Sequence, residues 1–171
     1  MTFSIAGTDG AGRLGIAVSS SSPAVAARCI HLRDGVGAVS SQNITDPRLG
    51  AAMLDRLEAG LEPEAALSDV LEQEASREYR QLVLLDAAGG SAVFHGAHTL
   101  GTHAAATGAG CVSAGNMLAD ASVTDAVCWP RWPQASMPVV RPAPSVPPVW
   151  RWSPGTGGET RTCGWTGMTT R

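Results

Sequence analysis

The opening stretch of the chain constrains the fold most, because it places a strand almost at the first atom. In Met1-Thr2-Phe3-Ser4-Ile5-Ala6-Gly7, Phe3 and Ile5 alternate with Ser4. In Leu14-Gly15-Ile16-Ala17-Val18-Ser19-Ser20, Leu14, Ile16 and Val18 alternate with Gly15 and Ala17. A period of two is the pattern of β-strands. The intervening Thr8-Asp9-Gly10-Ala11-Gly12 supplies the Gly and Asp residues that tight turns need for positive φ. The spacing predicts a β-hairpin whose first strand opens at residue 2.

That strand fixes a threonine where chains usually fray. Methionine is normally trimmed when the second residue is small, and Thr2 is small. A trimmed chain would carry a hydroxyl nucleophile and an α-amine base on one residue. A free α-amine has a pKa of about 8, so a useful fraction is neutral at neutral pH. The threonine and N-terminal amine pair is a recognised way to activate a hydroxyl. On the dipeptide alone, Thr2 reads equally as an ordinary β-branched strand residue.

A chain of 171 residues fits one domain, and 44% hydrophobic residues allow a core. There is no apolar run of about 18 residues and no basic segment leading into an apolar one. The expectation is therefore a cytoplasmic protein that does not enter membranes. Cys29, Cys111, Cys128 and Cys163 are widely spaced with no C-x-x-C, so they read as reduced, mostly buried thiols rather than zinc ligands. All basic residues are arginine. Up to Val127 there are 7 Arg against 14 acidic residues, net −7; from Cys128 onward 5 Arg face Glu159 alone, net +4. An acidic body argues against nucleic acid as a partner.

Further along, Ala24-Val25-Ala26-Ala27 reads as one helical turn or a loop, and residues 35–43 as a third strand. Asp46-Pro47 starts a helix, in which Leu49, Met53, Leu54 and Leu57 share a stripe and Gly60 closes the end. Pro63 opens a second helix with Ala66, Leu67, Val70 and Leu71 on its apolar face, so the two should pack as an αα-hairpin. Residues 81–86 and 91–95 read as a second hairpin around Gly89-Gly90. Residues 96–110 read as loop, 111–114 as a short strand, and 120–127 as a helix. His95, His98 and His103 lack a metal-ligand pattern and read as loop histidines, so neither metal nor cofactor is expected. Phosphate-loop, dinucleotide and serine-hydrolase motifs are absent from the sequence.

At Cys128 the composition breaks. All five tryptophans and eight of eleven prolines lie in the last 44 residues. Pro142, Pro144, Pro147 and Pro148 cannot continue a helix or fill a central strand. The tail, 128–171, reads as a Pro-rich ligand segment or, the favoured alternative, as GC-rich DNA translated out of frame. Either way it is expected to lack regular elements, leaving 1–127 as the folded domain.

Taken together, Met1-Thr2-Phe3-Ser4-Ile5, Gly15-Ile16-Ala17-Val18, Gly35-Val36-Gly37-Ala38-Val39, Arg80-Gln81-Leu82 with Asp86, and Gly115-Asn116-Met117-Leu118 resemble the bacterial domain of unknown function 1028 family. That family is similar to the N-terminal nucleophile (Ntn) hydrolases. The resemblance covers roughly residues 1–127, and the family's later elements have no counterpart in this chain. It implies an α+β fold, a four-layer αββα sandwich incomplete at its C-terminus. It further implies Thr2 as nucleophile, Asn116 as an oxyanion donor, and Ser20, Gln42 and Asn43 as residues beside the substrate. The activity implied is hydrolysis of an amide or peptide bond in a small molecule or peptide; a non-catalytic binding module and an inactive remnant are the alternatives. A homo-oligomer is left open. Proteasome-type sites set a lysine beside the threonine, and this chain has none; Arg28 could supply charge there but not accept a proton.

Overall fold

The computed structural model describes residues 1–128, 149–153 and 161–163. The chain is mixed α+β, built on two antiparallel sheets with a few helices. The expected first hairpin is present as β1 (Thr2–Thr8) and β2 (Leu14–Ser20). Its turn is held by the Asp9 carboxylate, which accepts from Ala11 N and Arg13 N at 3.0 Å each. A four-residue helix α1 (Ala26–Cys29) leads into β3 (Ile30–Arg33) and β4 (Gly37–Asn43). Helices α2 (Pro47–Glu58) and α3 (Pro63–Glu72) follow. Each starts at a proline, whose fixed φ suits the first helical position. Asp46 caps α2, its carboxylate accepting from Arg48 N at 2.9 Å.

A short 3-10 turn (Arg77–Tyr79) precedes β5 (Arg80–Asp86), which pairs with β6 (Ser91–His95). The stretch read as loop contains β7 (Ala104–Gly108), paired with β8 (Cys111–Asn116). Helix α4 (Ser122–Val127) comes next. Strand β3 was also not anticipated: its His31 and Arg33 interrupt the apolar run that would have marked it. The tail was expected to lack regular elements, yet β9 (Val149–Ser153) and β10 (Arg161–Cys163) are strands. The rest of the tail beyond Cys128, including all eight of its prolines, lies outside the described residues.

The larger sheet runs β10-β9-β2-β1-β8-β7 and the smaller β3-β4-β5-β6. Strand β1 is therefore central, flanked by β2 and β8. Two apolar layers hold the molecule together. Between the sheets pack Ala6, Leu14, Ile16, Val18, Val83 and Leu85, among others. On the other side of the smaller sheet, Val39, Leu82 and Leu84 meet Met53, Leu54, Leu67 and Val70 of α2 and α3. Strands β4 and β5 thus bury both faces, which is why residues 82–85 read as a continuous apolar run. Each fully buried Leu or Val contributes about 1.5–3 kcal/mol. Helix α4 lies against β7 and β8, tied by Ser113 Oγ donating to Thr124 O at 2.9 Å. No helix among the described residues is long and apolar enough to cross a membrane.

Candidate functional site

Side chains alternate across a strand, so the inward face of each strand can be followed along its length. On β5 that face reads Leu85, Val83, Gln81; on β8, Val112, Ala114, Asn116; on β4, Ala38, Ser40, Gln42; on β1, Ala6, Ser4, Thr2. On β2 it ends at Ser20. The layer between the sheets therefore turns from apolar to polar at one end. That end gathers the start of β1 and β5 and the finish of β2, β4, β6 and β8.

Thr2 stands directly across from Ser20 on one side and Asn116 on the other. The Thr2 and Ser20 hydroxyls are 3.0 Å apart. Ser20 Oγ donates to the Met1 carbonyl at 3.1 Å and accepts from Ser22 N at 3.1 Å. With its one proton so engaged, Ser20 accepts from the Thr2 hydroxyl while Met1 is present. Ser21 N also donates to the Met1 carbonyl, at 3.1 Å. The Met1 α-amine donates to Ser21 Oγ at 3.1 Å and contacts Met117 Sδ at 3.7 Å.

Beneath Thr2 lies a buried amide network. Asn116 Nδ2 donates to Gln81 Oε1 at 2.9 Å, and Gln42 Nε2 donates to the same oxygen at 2.8 Å. Gln42 Nε2 also donates to Ala114 O at 3.1 Å, while Ser40 Oγ donates to Gln42 Oε1 at 3.2 Å. Gln81 Nε2 donates to Gly115 O at 2.8 Å and lies 2.9 Å from His95 Nδ1. Gln42 and Gln81 are each at most 1% exposed. Burying such amides unpaired would cost about 1–3 kcal/mol each, and here their polar atoms find partners across the two sheets. Ser4 is the exception: its hydroxyl is buried with no hydrogen-bond partner among the described residues.

The five residues expected from sequence come to this one end, in different states. Thr2 and Ser20 form a hydroxyl pair. Asn116 faces the amide network, bonded to Gln81 rather than to the Thr2 side chain. Gln42 spends both its N–H donors inside the protein. Asn43 closes β4 with φ of 69°; its amide donates to Tyr79 O and His98 O and accepts from Leu100 N, which fixes the loops at the mouth. Arg28 turns away to Pro23 O at 3.1 Å. Among the described residues the positive-φ residues other than glycine are Ala24, Asn43 and Met117; Asn43 closes β4, Met117 directly follows β8, and Ala24 lies in the loop after β2. Backbone strain of this kind gathers at functional sites. The rim is apolar: Met1, Ile44, Tyr79, Leu100 and Met117 are among the exposed large hydrophobic residues.

Sequence reasoning missed Gln81 and His95 as members of this site. His95 is the last residue of β6, half-buried, with its ring centroid 5.3 Å from that of His103. Burial, with a smaller push from His103, holds its pKa below the usual histidine value. The alternation of β5, polar at 81 and apolar at 83 and 85, was the available signal. Groups of histidine, cysteine and carboxylate suited to a metal ion are absent among the described residues. A groove of about 250 Å³ on the helix layer is lined by Asp46, Arg48, Arg56 and Gln73, among others. Its arginines are ion-paired, Arg48 with Asp46 and Arg56 with Asp69, so it offers no free charge to a ligand.

The molecule is thus a mixed α+β protein of two packed antiparallel sheets, with hydroxyls and amides gathered at one end of the layer between them. The family model described as Family of unknown function (DUF1028) matches residues 2–134, and the chain belongs to that family. It is similar to the crystal structure of a Silicibacter pomeroyi protein assigned to the same family model, at 33% identity and a TM-score of 0.71. The similarity covers 73% of this chain and 58% of that one, so the chain spans little more than half the length of that relative. No curated protein matches this chain.

Proposed function

We propose that this chain is an N-terminal threonine hydrolase acting on an amide or peptide bond, on a four-layer αββα sandwich of the Ntn-hydrolase type. The layering of α2 and α3, the smaller sheet, the larger sheet and α4 supports that architecture. The observation that carries the functional reading is the Thr2 hydroxyl, on the first residue of a central strand, 3.0 Å from the Ser20 hydroxyl above a buried amide network. The reading requires removal of Met1, which frees the Thr2 nitrogen as an amine.

Thr2 Oγ1 then attacks the substrate carbonyl carbon, and its proton passes to the α-amine. The tetrahedral oxyanion is met by the Asn116 amide and by the donors that hold the Met1 carbonyl in the untrimmed chain, Ser20 Oγ–H and Ser21 N–H. The C–N bond breaks and the α-amine returns the proton to the leaving nitrogen. Water, deprotonated by the same amine, attacks the Thr2 ester and releases a carboxylic acid. The exposed Met117, Leu100 and Ile44 around the mouth favour substrates with an apolar part.

The test is hydrolysis of a panel of acyl p-nitroanilides by protein whose intact mass shows Met1 removed. The expected result is turnover that persists in Thr2→Ser and vanishes in Thr2→Ala. Turnover equal in Thr2→Ala and wild type would contradict it. A chain that retains Met1 in the cell has no amine base at Thr2, and the same polar end then serves as a binding module.

A further inference from the structure

We infer that Gln81 and His95 are positioning residues that fix the orientation of the Asn116 amide beside Thr2, an inference resting on the reading of Thr2 as nucleophile. Two atoms in the network cannot reverse their role. Backbone carbonyls only accept hydrogen bonds. Ala114 O therefore faces the Nε2 end of Gln42, and Gly115 O faces the Nε2 end of Gln81. Gln81 must then turn Oε1 toward Gln42 and Asn116, and it accepts from both. Asn116 is left with its Nδ2 end inward, one N–H spent on Gln81 and one available.

The second N–H of Gln81 meets His95 Nδ1 at 2.9 Å. That nitrogen must accept, so the His95 proton sits on Nε2 and the ring is neutral. A protonated ring would set an N–H against the Gln81 amide. Turning Gln81 over to relieve this would set its amine end against both Gln42 and Asn116. Either way Asn116 loses its fixed orientation. The groups facing His95 are Gln81 from β5 and His103 from the loop before β7; neither is a carboxylate that would favour the charged ring, and burial disfavours it further.

The experiment has two arms on the full chain. In the first, imidazole signals are followed by NMR through a pH titration, with no substrate required. His95 is expected as the Nε2–H tautomer, titrating below 6.5. An Nδ1–H tautomer would overturn the proposal. In the second, acylation of Thr2 by a β-lactone is timed by intact mass. Below the α-amine pKa the wild-type rate falls in inverse proportion to the proton concentration, and the dependence steepens to the inverse square once His95 protonates. His95→Asn places an amide oxygen where Nδ1 stood; it restores the rate at about pH 8 and removes the steepening. His95→Leu leaves a Gln81 N–H without a partner and slows acylation roughly tenfold or more. A His95→Asn profile that still steepens, or a His95→Leu variant at the wild-type rate, overturns this proposal alone. A wild-type chain without any acylation overturns the nucleophile reading together with it.

Discussion

The two ends of the layer between the sheets are made by the same strands and differ only in which residues face inward. At one end Leu14, Ile16, Val83, Leu85 and Val112 close an apolar core. At the other, two to six residues along, Thr2, Ser4, Ser20, Ser40, Gln42, Gln81 and Asn116 take their places. The apolar end needs only shape and volume to be stable. The polar end needs each amide to find a partner, and it recruits backbone carbonyls of β8 to do so. A chain selected for stability alone would extend the apolar pattern to both ends. That it does not is the departure from local rules that supports reading the polar end as the functional one.

Substitutions sharpen that contrast. Leu85→Ala, in the apolar end and fully buried, should lower the unfolding free energy by about 2–5 kcal/mol in urea melts while leaving acylation of Thr2 unchanged in folded protein. Gln81→Leu is nearly volume-neutral but strands the Asn116 and Gln42 donors and the Gly115 carbonyl. It should cost about 2–3 kcal/mol and, unlike Leu85→Ala, also slow acylation. Equal effects of the two on acylation would erase the distinction between the ends.

Smaller effects come from outside the amide network. Asp46→Ala removes the α2 cap and should cost about 1 kcal/mol. The Arg48 guanidinium and the capping N–H lower the Asp46 pKa from 3.8 to about 2. Its stabilisation is therefore fully present above the unfolded value of 3.8 and is lost as pH falls toward about 2. Arg48 is 88% exposed, so the ion pair is screened and the cap bond carries most of the effect. Melts of wild type and Asp46→Ala should converge at low pH. Ser4→Ala has the opposite sign. It deletes a buried hydroxyl that has no partner among the described residues and should stabilise by about 0.5–1 kcal/mol; a loss of stability would show that the hydroxyl is in use.

Much of this fold was legible in the sequence, for identifiable reasons. Both hairpins announce themselves by alternation and by glycine or aspartate turns, and both early helices by a proline start and an apolar stripe. Strand β7 did not, because Ala104-Ala105-Ala106-Thr107-Gly108 has small residues on both faces and no contrast to read. Thr2 and Ser20 could be singled out because they open or close recognisable strands; Asn116 came only from the family resemblance, because β8 runs two residues beyond the strand read at 111–114. The amide network could not, because residues 42, 81, 95 and 116 meet only when two sheets pack and their registers are set. His95, read as a loop residue, acquires its environment from Gln81, fourteen positions away in sequence and opposite it across the β5–β6 pair.

The proposal that the polar end presents Thr2 as a self-activated nucleophile can be checked on the residue itself. The most direct measurement is peptide mapping after reaction with a β-lactone, reading the arginine-cleaved peptide Thr2–Arg13. The account predicts a lactone ester on Thr2 in chains lacking Met1 and none in Thr2→Ala. An unmodified peptide from fully trimmed protein, or the same adduct elsewhere in both wild type and Thr2→Ala, would contradict it.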